Sequence, residues 1–265
     1  MTPPGVEHLA TKGELLAATD RHPVPLGEAD PHPAVPSLLL RRGASWAAAF
    51  ARPQWLRGLG VMLHGDGPDR DDLVLALVAD PAFAPWQQAV RAAGARGISV
   101  PRALEQPLGH LLADVGGRWE WMWTPAMPDA PADPTSGDAA VVDLDASERG
   151  AVEDLLAAHN ARTDGEPFAR PGQRWAGVRS GRTLLAVGCC EVEPSGSPIL
   201  AGITVVPEAR GRGLGRAVTA ELTRGAVAEH GWCTLGMYSD NDLARDLYLS
   251  MGYRVAAEWT SGPMA

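Results

Sequence analysis

The chain has 265 residues, 45% of them hydrophobic, enough for two modest domains or one large one. Its 32 acidic and 23 basic side chains leave a net charge of −9, which argues against general nucleic-acid binding, where a basic face is needed. No apolar run is long enough for a membrane span and the first residues do not form a charged-then-apolar leader, so a cytoplasmic protein with no membrane partner is expected.

Residues 1–124 read as an N-terminal α/β domain. Leu38 to Arg41, Gly60 to Leu63 and Asp72 to Val78 read as short strands, and Pro85 to Ala93 and Arg102 to Leu112 as helices. His64 to Asp72 (H-G-D-G-P-D-R-D-D) lacks the D-x-[DN]-x-[DN]-G frame and closing Glu of a calcium loop. It reads as a solvated turn, and no metal site is expected. Gly117 to Thr124 places Trp119, Trp121 and Trp123 on one side of a strand, which suits a seam between domains better than the wall of a substrate pocket. Residues 125–138 are rich in proline and poor in large apolar side chains, and read as a linker.

The second domain, 139–265, reads as alternating strands and helices. Ala140 to Leu144 is a strand, and Ser147 can cap a helix to about His159. Strands follow at Arg174 to Arg179, Leu184 to Glu193 and Pro198 to Val206. A helix from Leu214 to about Glu229 carries an apolar stripe of Leu214, Val218 and Leu222. Cys233 to Tyr238 is a strand, Ser239 or Asp240 can cap a helix ending at Gly252, and Tyr253 to Thr260 is the last strand. The three cysteines (Cys189, Cys190 and Cys233) lack the spacing of a zinc site or a disulfide framework and read as small buried groups. A single lysine, Lys12, amid abundant Ala, Gly, Pro and Arg suggests a bacterial genome of high GC content.

Two motifs carry chemistry. Residues 205–216 read V-V-P-E-A-R-G-R-G-L-G-R, between a strand and a helix. The run has no Lys after Gly215, so it is not a P-loop, and G-x-G-x-x-G fails from either Gly211 or Gly213. What remains is R-x-x-G-x-G on Arg210, Gly213 and Gly215. Its glycines let the backbone curl close to a ligand, and amides at the next helix start can face a diphosphate with guanidinium groups alongside. The second motif, N-D-L-A-R-D-L-Y-L-S-M-G-Y at residues 241–253, puts Asn241, Ala244, Tyr248 and Met251 on one helical face.

Together the motifs resemble those of the GCN5-related N-acetyltransferases, whose acyl-CoA loop is R-x-x-G-x-G and whose later helix follows N-x-x-A-x-x-x-Y-x-x-x-G-[FY]. The resemblance covers residues 139–265. It implies a mixed, mostly antiparallel sheet flanked by helices, with acetyl-CoA as co-substrate. It further implies a cradle of Arg210, Gly211, Arg212, Gly213, Leu214, Gly215 and Arg216, with main-chain contacts from Thr204, Val205 and Val206 on a bulged strand and Asn241 along the CoA arm. Tyr248 is then the general acid, its alternative being a core tyrosine that packs the C-terminal helix, and Glu191 or Glu193 draws the amine proton through water; the alternative for those two is a pair of exposed charges. The segment containing His159, Asp164 and Glu166 shapes the acceptor pocket. An α/β first half without the loop resembles a degenerate partner in a tandem arrangement that binds no CoA. The expected activity is N-acylation of a primary amine on a small molecule, amino acid or peptide by a monomer or homodimer. The alternative is an inert CoA-binding sensor or scaffold.

Overall fold

Local signals set the ends of the helices. Thr11 and Glu14 form a capping box at α1 (Lys12–Ala18), and Pro25 lies inside the short α2 (Pro23–Glu28). Asp145 and Glu148 form a second capping box on the single turn that leads into α6 (Arg149–His159). Gly231, at φ 83°, ends α7 (Leu214–His230) in the left-handed conformation glycine favours. Asn241, rather than Ser239 or Asp240, caps α8 (Asp242–Ser250). The protein is described by a computed structural model covering residues 5–30, 32–54, 58–128 and 140–265. Most of the expected linker, residues 129–138, lies outside the described residues.

Twelve strands form one sheet: β1 (Glu7–Leu9), β2 (Ser37–Arg42), β3 (Ser45–Gln54), β4 (Gly58–Asp66), β5 (Gly97–Pro101), β6 (Gly117–Thr124), β7 (Val141–Leu144), β8 (Arg174–Ser180), β9 (Thr183–Val192), β10 (Pro198–Val205), β11 (Cys233–Tyr238) and β12 (Arg254–Pro263). Their order is β1-β2-β3-β4-β5-β12-β6-β11-β10-β9-β8-β7. The order reads the same way inward from either edge. Each half contributes five strands in sequence and hands its last strand to the other: β12 pairs with β5, β6 pairs with β11, and the two pair with each other. Only β4·β5 and β10·β11 are parallel, so the sheet is mixed and mostly antiparallel.

Apolar clusters show how the helices cover it. Leu15 of α1 and Val24 of α2 pack with Trp121 and Trp259, while Leu155 and Leu156 of α6 pack with Trp175 and Cys189 on the same face. The opposite face is covered by α3 (Arg70–Ala79), α4 (Phe83–Ala92) and the short α5 (Glu105–Leu108) over the first half, and by α7 and α8 over the second. The tryptophan row of β6 lies at the seam between halves. Trp119 and Trp259 approach to 4.8 Å between ring centroids. Trp121 lies so close under α2 that a Cβ on Gly27 would come within 2.7 Å of its ring. On the other face of the seam, Glu120 and Glu258 stand directly opposite each other. Like charges so placed repel, and Arg102 touches both while Arg245 of α8 donates to Glu120 at 3.0 Å.

The first half departs from expectation in detail. Asp72 to Val78 is not a strand but the body of α3. Leu73, Val74 and Leu77 are buried at helical spacing, but Leu75 and Val78 between and beside them are apolar too and pack partly against the same cluster, which hides the period. Arg102 to Leu112 is not one helix: Pro107 sits within α5, which is only four residues long between two single 3₁₀ turns. His64 is not in a solvated turn either; it lies in the buried part of β4, its ring 5.2 Å from that of His22 and 5.7 Å from that of Trp259.

Candidate functional site

The second half holds a break in the sheet. Between Ala201 and Thr204 the register of β10 against β9 shifts, and Gly202 sits at φ 66°. β10 and β11 pair only at Ile199↔Thr234 and Leu200↔Leu235. Beyond those residues the two parallel strands have no ladder between them, leaving main-chain groups of β10 turned toward an opening. Among the described residues of the first half no strand pair matches that break. There β4 pairs with β3 without a register shift from Gly58 to Asp66, and the indole N–H of Trp259 donates to Leu63 O at 3.2 Å where β4 passes β5.

The glycine turn lies at the end of the opening. After a single turn at Pro207–Ala209, Gly211 and Gly213 take φ 75° and 78°, which a side chain would strain. Gly213 is the N-cap of α7 and has no side chain to satisfy the first amides of this 17-residue helix. Those amides and the helix dipole therefore favour an anion. Leu214 is buried beneath the turn, and a Cβ on Gly215 would come within 3.3 Å of Val205 Cγ2. Arg212 and Arg210 are exposed, the latter donating to Val205 O at 3.3 Å. Arg216 pairs with Ser250 on α8. Of the three strand positions, Val206 N is already committed to Leu185 O at 2.9 Å, which removes that amide from ligand contact. Thr204 donates its hydroxyl to Gly202 O and accepts from Asn160 Nδ2, both at 3.0 Å.

Asn241 and Tyr248 lie on α8, next to the opening. Asn241 Oδ1 accepts from Ala244 N at 3.2 Å, so its oxygen serves the helix cap. Tyr248 is buried in the cluster that contains Leu214, Leu235 and Met237, with its ring 5.8 Å from that of Tyr253. Burial pushes its phenol up to about 12. Arg245, on the same helix, is committed to Glu120.

The two candidate bases do not lie together as a pair of exposed strand carboxylates. Glu191 is buried, and both its oxygens are occupied: Arg170 donates through Nε at 2.8 Å and Nη2 at 2.9 Å, and Gln173 Nε2 donates at 2.8 Å. Glu193 is outside β9, in the turn to β10, where its amide donates to Ser197 O. That turn is at the far end of β10 from the glycine turn. Glu166 pairs with Arg170 at 2.9 Å. The segment after α6 is thus pinned to β9 by one arginine and a buried carboxylate.

The same segment crosses the opening on the α6 face. Asn160 holds it to Thr204 of β10. Two residues later, Arg162 Nη1 donates to Asp240 at 2.9 Å and its guanidinium lies 3.8 Å from the centroid of the Tyr238 ring at the end of β11. A cavity of about 200 Å³ beside this strap is lined by Leu156, Asn160, Thr163, Gly165 and Glu153. Asn160 and Arg162 escaped the sequence reading. Their only signal was their place in the polar stretch H-N-A-R-T-D-G-E, next to His159, which is the exposed last residue of α6.

Residues 176–260 match the family model described as FR47-like protein. No curated protein matches the chain. Among solved structures, a GCN5-related N-acetyltransferase from Kribbella flavida is 16% identical over 96% of this chain and 93% of its own, with a TM-score of 0.54. Another from Sphaerobacter thermophilus is 16% identical over 85% of this chain and 79% of its own, with a TM-score of 0.50. At that identity the likeness is one of fold. No helix among the described residues is long and apolar enough to cross a membrane. Within its second half the chain is thus similar to FR47-like proteins, and along its length its fold is similar to that of GCN5-related N-acetyltransferases.

Proposed function

We propose that the protein is an acyl-CoA-dependent N-acyltransferase that uses acetyl-CoA and transfers the acyl group directly to a primary amine. The observation that carries this reading is the bulged, splayed end of β10 leading into the glycine turn at the start of α7. In this reading the diphosphate of CoA rests on the amides around Gly213 and Leu214, with Arg210, Arg212 and Arg216 on the rim. The pantetheine arm runs along the unpaired edge of β10 near Thr204 and Val205, replacing the missing ladder to β11.

The thioester needs no covalent help from the enzyme. The amine nitrogen attacks the carbonyl carbon, the C–S bond breaks, and the departing sulfur takes a proton from Tyr248. A phenol held near 12 remains protonated through the working range, and the apolar surroundings that raise it also favour a neutral thiol over a thiolate. The amine must arrive uncharged, its second proton leaving through water at the α6-face opening. Glu191 is assigned to holding the acceptor-side segment and not to proton transfer, because its oxygens are taken.

That last observation also favours a second reading, a CoA-binding module without turnover. Mixing the protein with acetyl-CoA and a panel of amines, and following free thiol with a disulfide reagent, separates the two. Thiol release that depends on an amine supports the transferase. Heat on titration with CoA but no thiol release over the whole panel supports the inert module, and no heat on titration with CoA rejects both.

A further inference from the structure

The ring of Tyr238 and the carboxylate of Asp240 flank the open end of β11, on the face from which an amine would approach. Together they make a site for a cation: an aromatic face for the charge and a carboxylate for its hydrogen bonds. The chain fills the site with its own guanidinium, that of Arg162, at 3.8 Å from the ring centroid and 2.9 Å from Asp240 Oδ2. This filling is weakly held. Arg162 and Asp240 keep 57% and 66% of their side-chain surface in solvent, and an exposed ion pair of this kind is easily exchanged. Arg162 is also carried on a strap attached to the bulge only two residues earlier, by Asn160, so a cation that displaces it opens the way to the β10 edge.

We propose that Tyr238 and Asp240 form a subsite for the distal ammonium of a dicationic amine acceptor, and that Arg162 is an internal stand-in for it. The substrate class is then an aliphatic diamine or polyamine. One amino group, uncharged, attacks the thioester; the other, as ammonium, takes the place of the guanidinium. The net charge of −9 draws such a molecule in. This inference rests on the transferase reading, and its test keeps the two apart.

The first experiment is calorimetric and needs no turnover. 1,4-Diaminobutane is titrated into the native protein and into Arg162→Met, with Arg162→Met/Asp240→Asn as the control and thermal unfolding as the check on folding. Removing the internal competitor should tighten binding about tenfold, the scale of one exposed ion pair plus one cation–π contact. Asp240→Asn should remove that gain. Equal affinity for the native protein and Arg162→Met, or affinity that survives Asp240→Asn, would overturn the subsite. The second experiment compares thiol release from acetyl-CoA with 1,4-diaminobutane and with butylamine. A preference for the diamine over butylamine that Asp240→Asn abolishes supports the assignment; equal use of both amines by the native protein, or a preference that survives Asp240→Asn, rejects it. Diamine binding without thiol release for any amine would reject the transferase reading and leave the cation site standing.

Discussion

Replacing Glu191 with glutamine separates two jobs that the sequence alone could not. The carboxylate accepts three hydrogen bonds, two from Arg170 and one from Gln173. Its side chain is 8% exposed and that of Arg170 11%. Glutamine keeps the shape but removes the charge and turns an NH₂ group toward donors. Breaking a buried pair costs about 3–5 kcal/mol when one partner disappears. Here Glu166 still touches the guanidinium from the rim, which lowers the expected loss to about 2–3 kcal/mol. For a chain of this size that is a fall in Tm of about 5–10 °C, measurable by tryptophan fluorescence or calorimetry. The pH–rate profile of Glu191→Gln should keep its acidic limb, with any loss of rate recovered at temperatures well below Tm. An unchanged Tm with a hundredfold fall in kcat/KM and a vanished acidic limb would show that Glu191 moves the amine proton, and would refute the assignment made from its contacts.

Tyr248→Phe should lower turnover about 10²–10⁴-fold, the usual range for a positioned acid, with CoA affinity by calorimetry nearly unchanged; equal turnover would remove the phenol from the reaction. With that phenol pushed up to about 12, no fall in native activity assigned to its ionisation is expected below about pH 11. Gly213→Ala should cost about 1–2 kcal/mol through its left-handed φ alone, since an added Cβ meets nothing within 4 Å, whereas Gly213→Glu should abolish CoA binding; retained affinity in the second variant would discredit the cradle. Burial lowers the pKa of both His22 and His64, and the two rings adjoin. Because the folded state resists protons that the unfolded chain accepts, the stability change begins as pH falls through about 6.5, at up to about 1.4 kcal/mol per pH unit for each ring. Replacing both by glutamine should flatten the fall of Tm with pH below about 6.5, and an unchanged slope there would contradict the reading that the folded protein keeps both rings neutral.

What the sequence disclosed and what it concealed follow from the range of the interactions. The second half was legible because its signals are local: the glycine-rich turn before α7, and strands whose ends agree with expectation to within about three residues. The first half offered weaker cues. Ser45–Gln54 carries four alanines around Trp46 and Phe50 and shows no alternation of apolar with polar residues, because the strand is buried on both faces. The α1 capping box at Thr11 and Glu14 was readable but its helix is only seven residues long. The roles of Glu191 and Arg245 were hidden for another reason. Their partners, Arg170 and Glu120, are 21 and 125 residues away, and no periodicity reaches that far. The crossing of β6 and β12 is equally nonlocal: nothing in either strand announces a neighbour from the other half.

That crossing limits how the molecule can move. A cleft between two ordinary lobes can open on a hinge, but here each lobe grips a ribbon belonging to its companion, so swinging them apart would tear the ladders β5·β12 and β6·β11. A fragment comprising only residues 140–265 would retain β12 but lose its neighbours on both sides, exposing a raw edge suited to capturing a second copy.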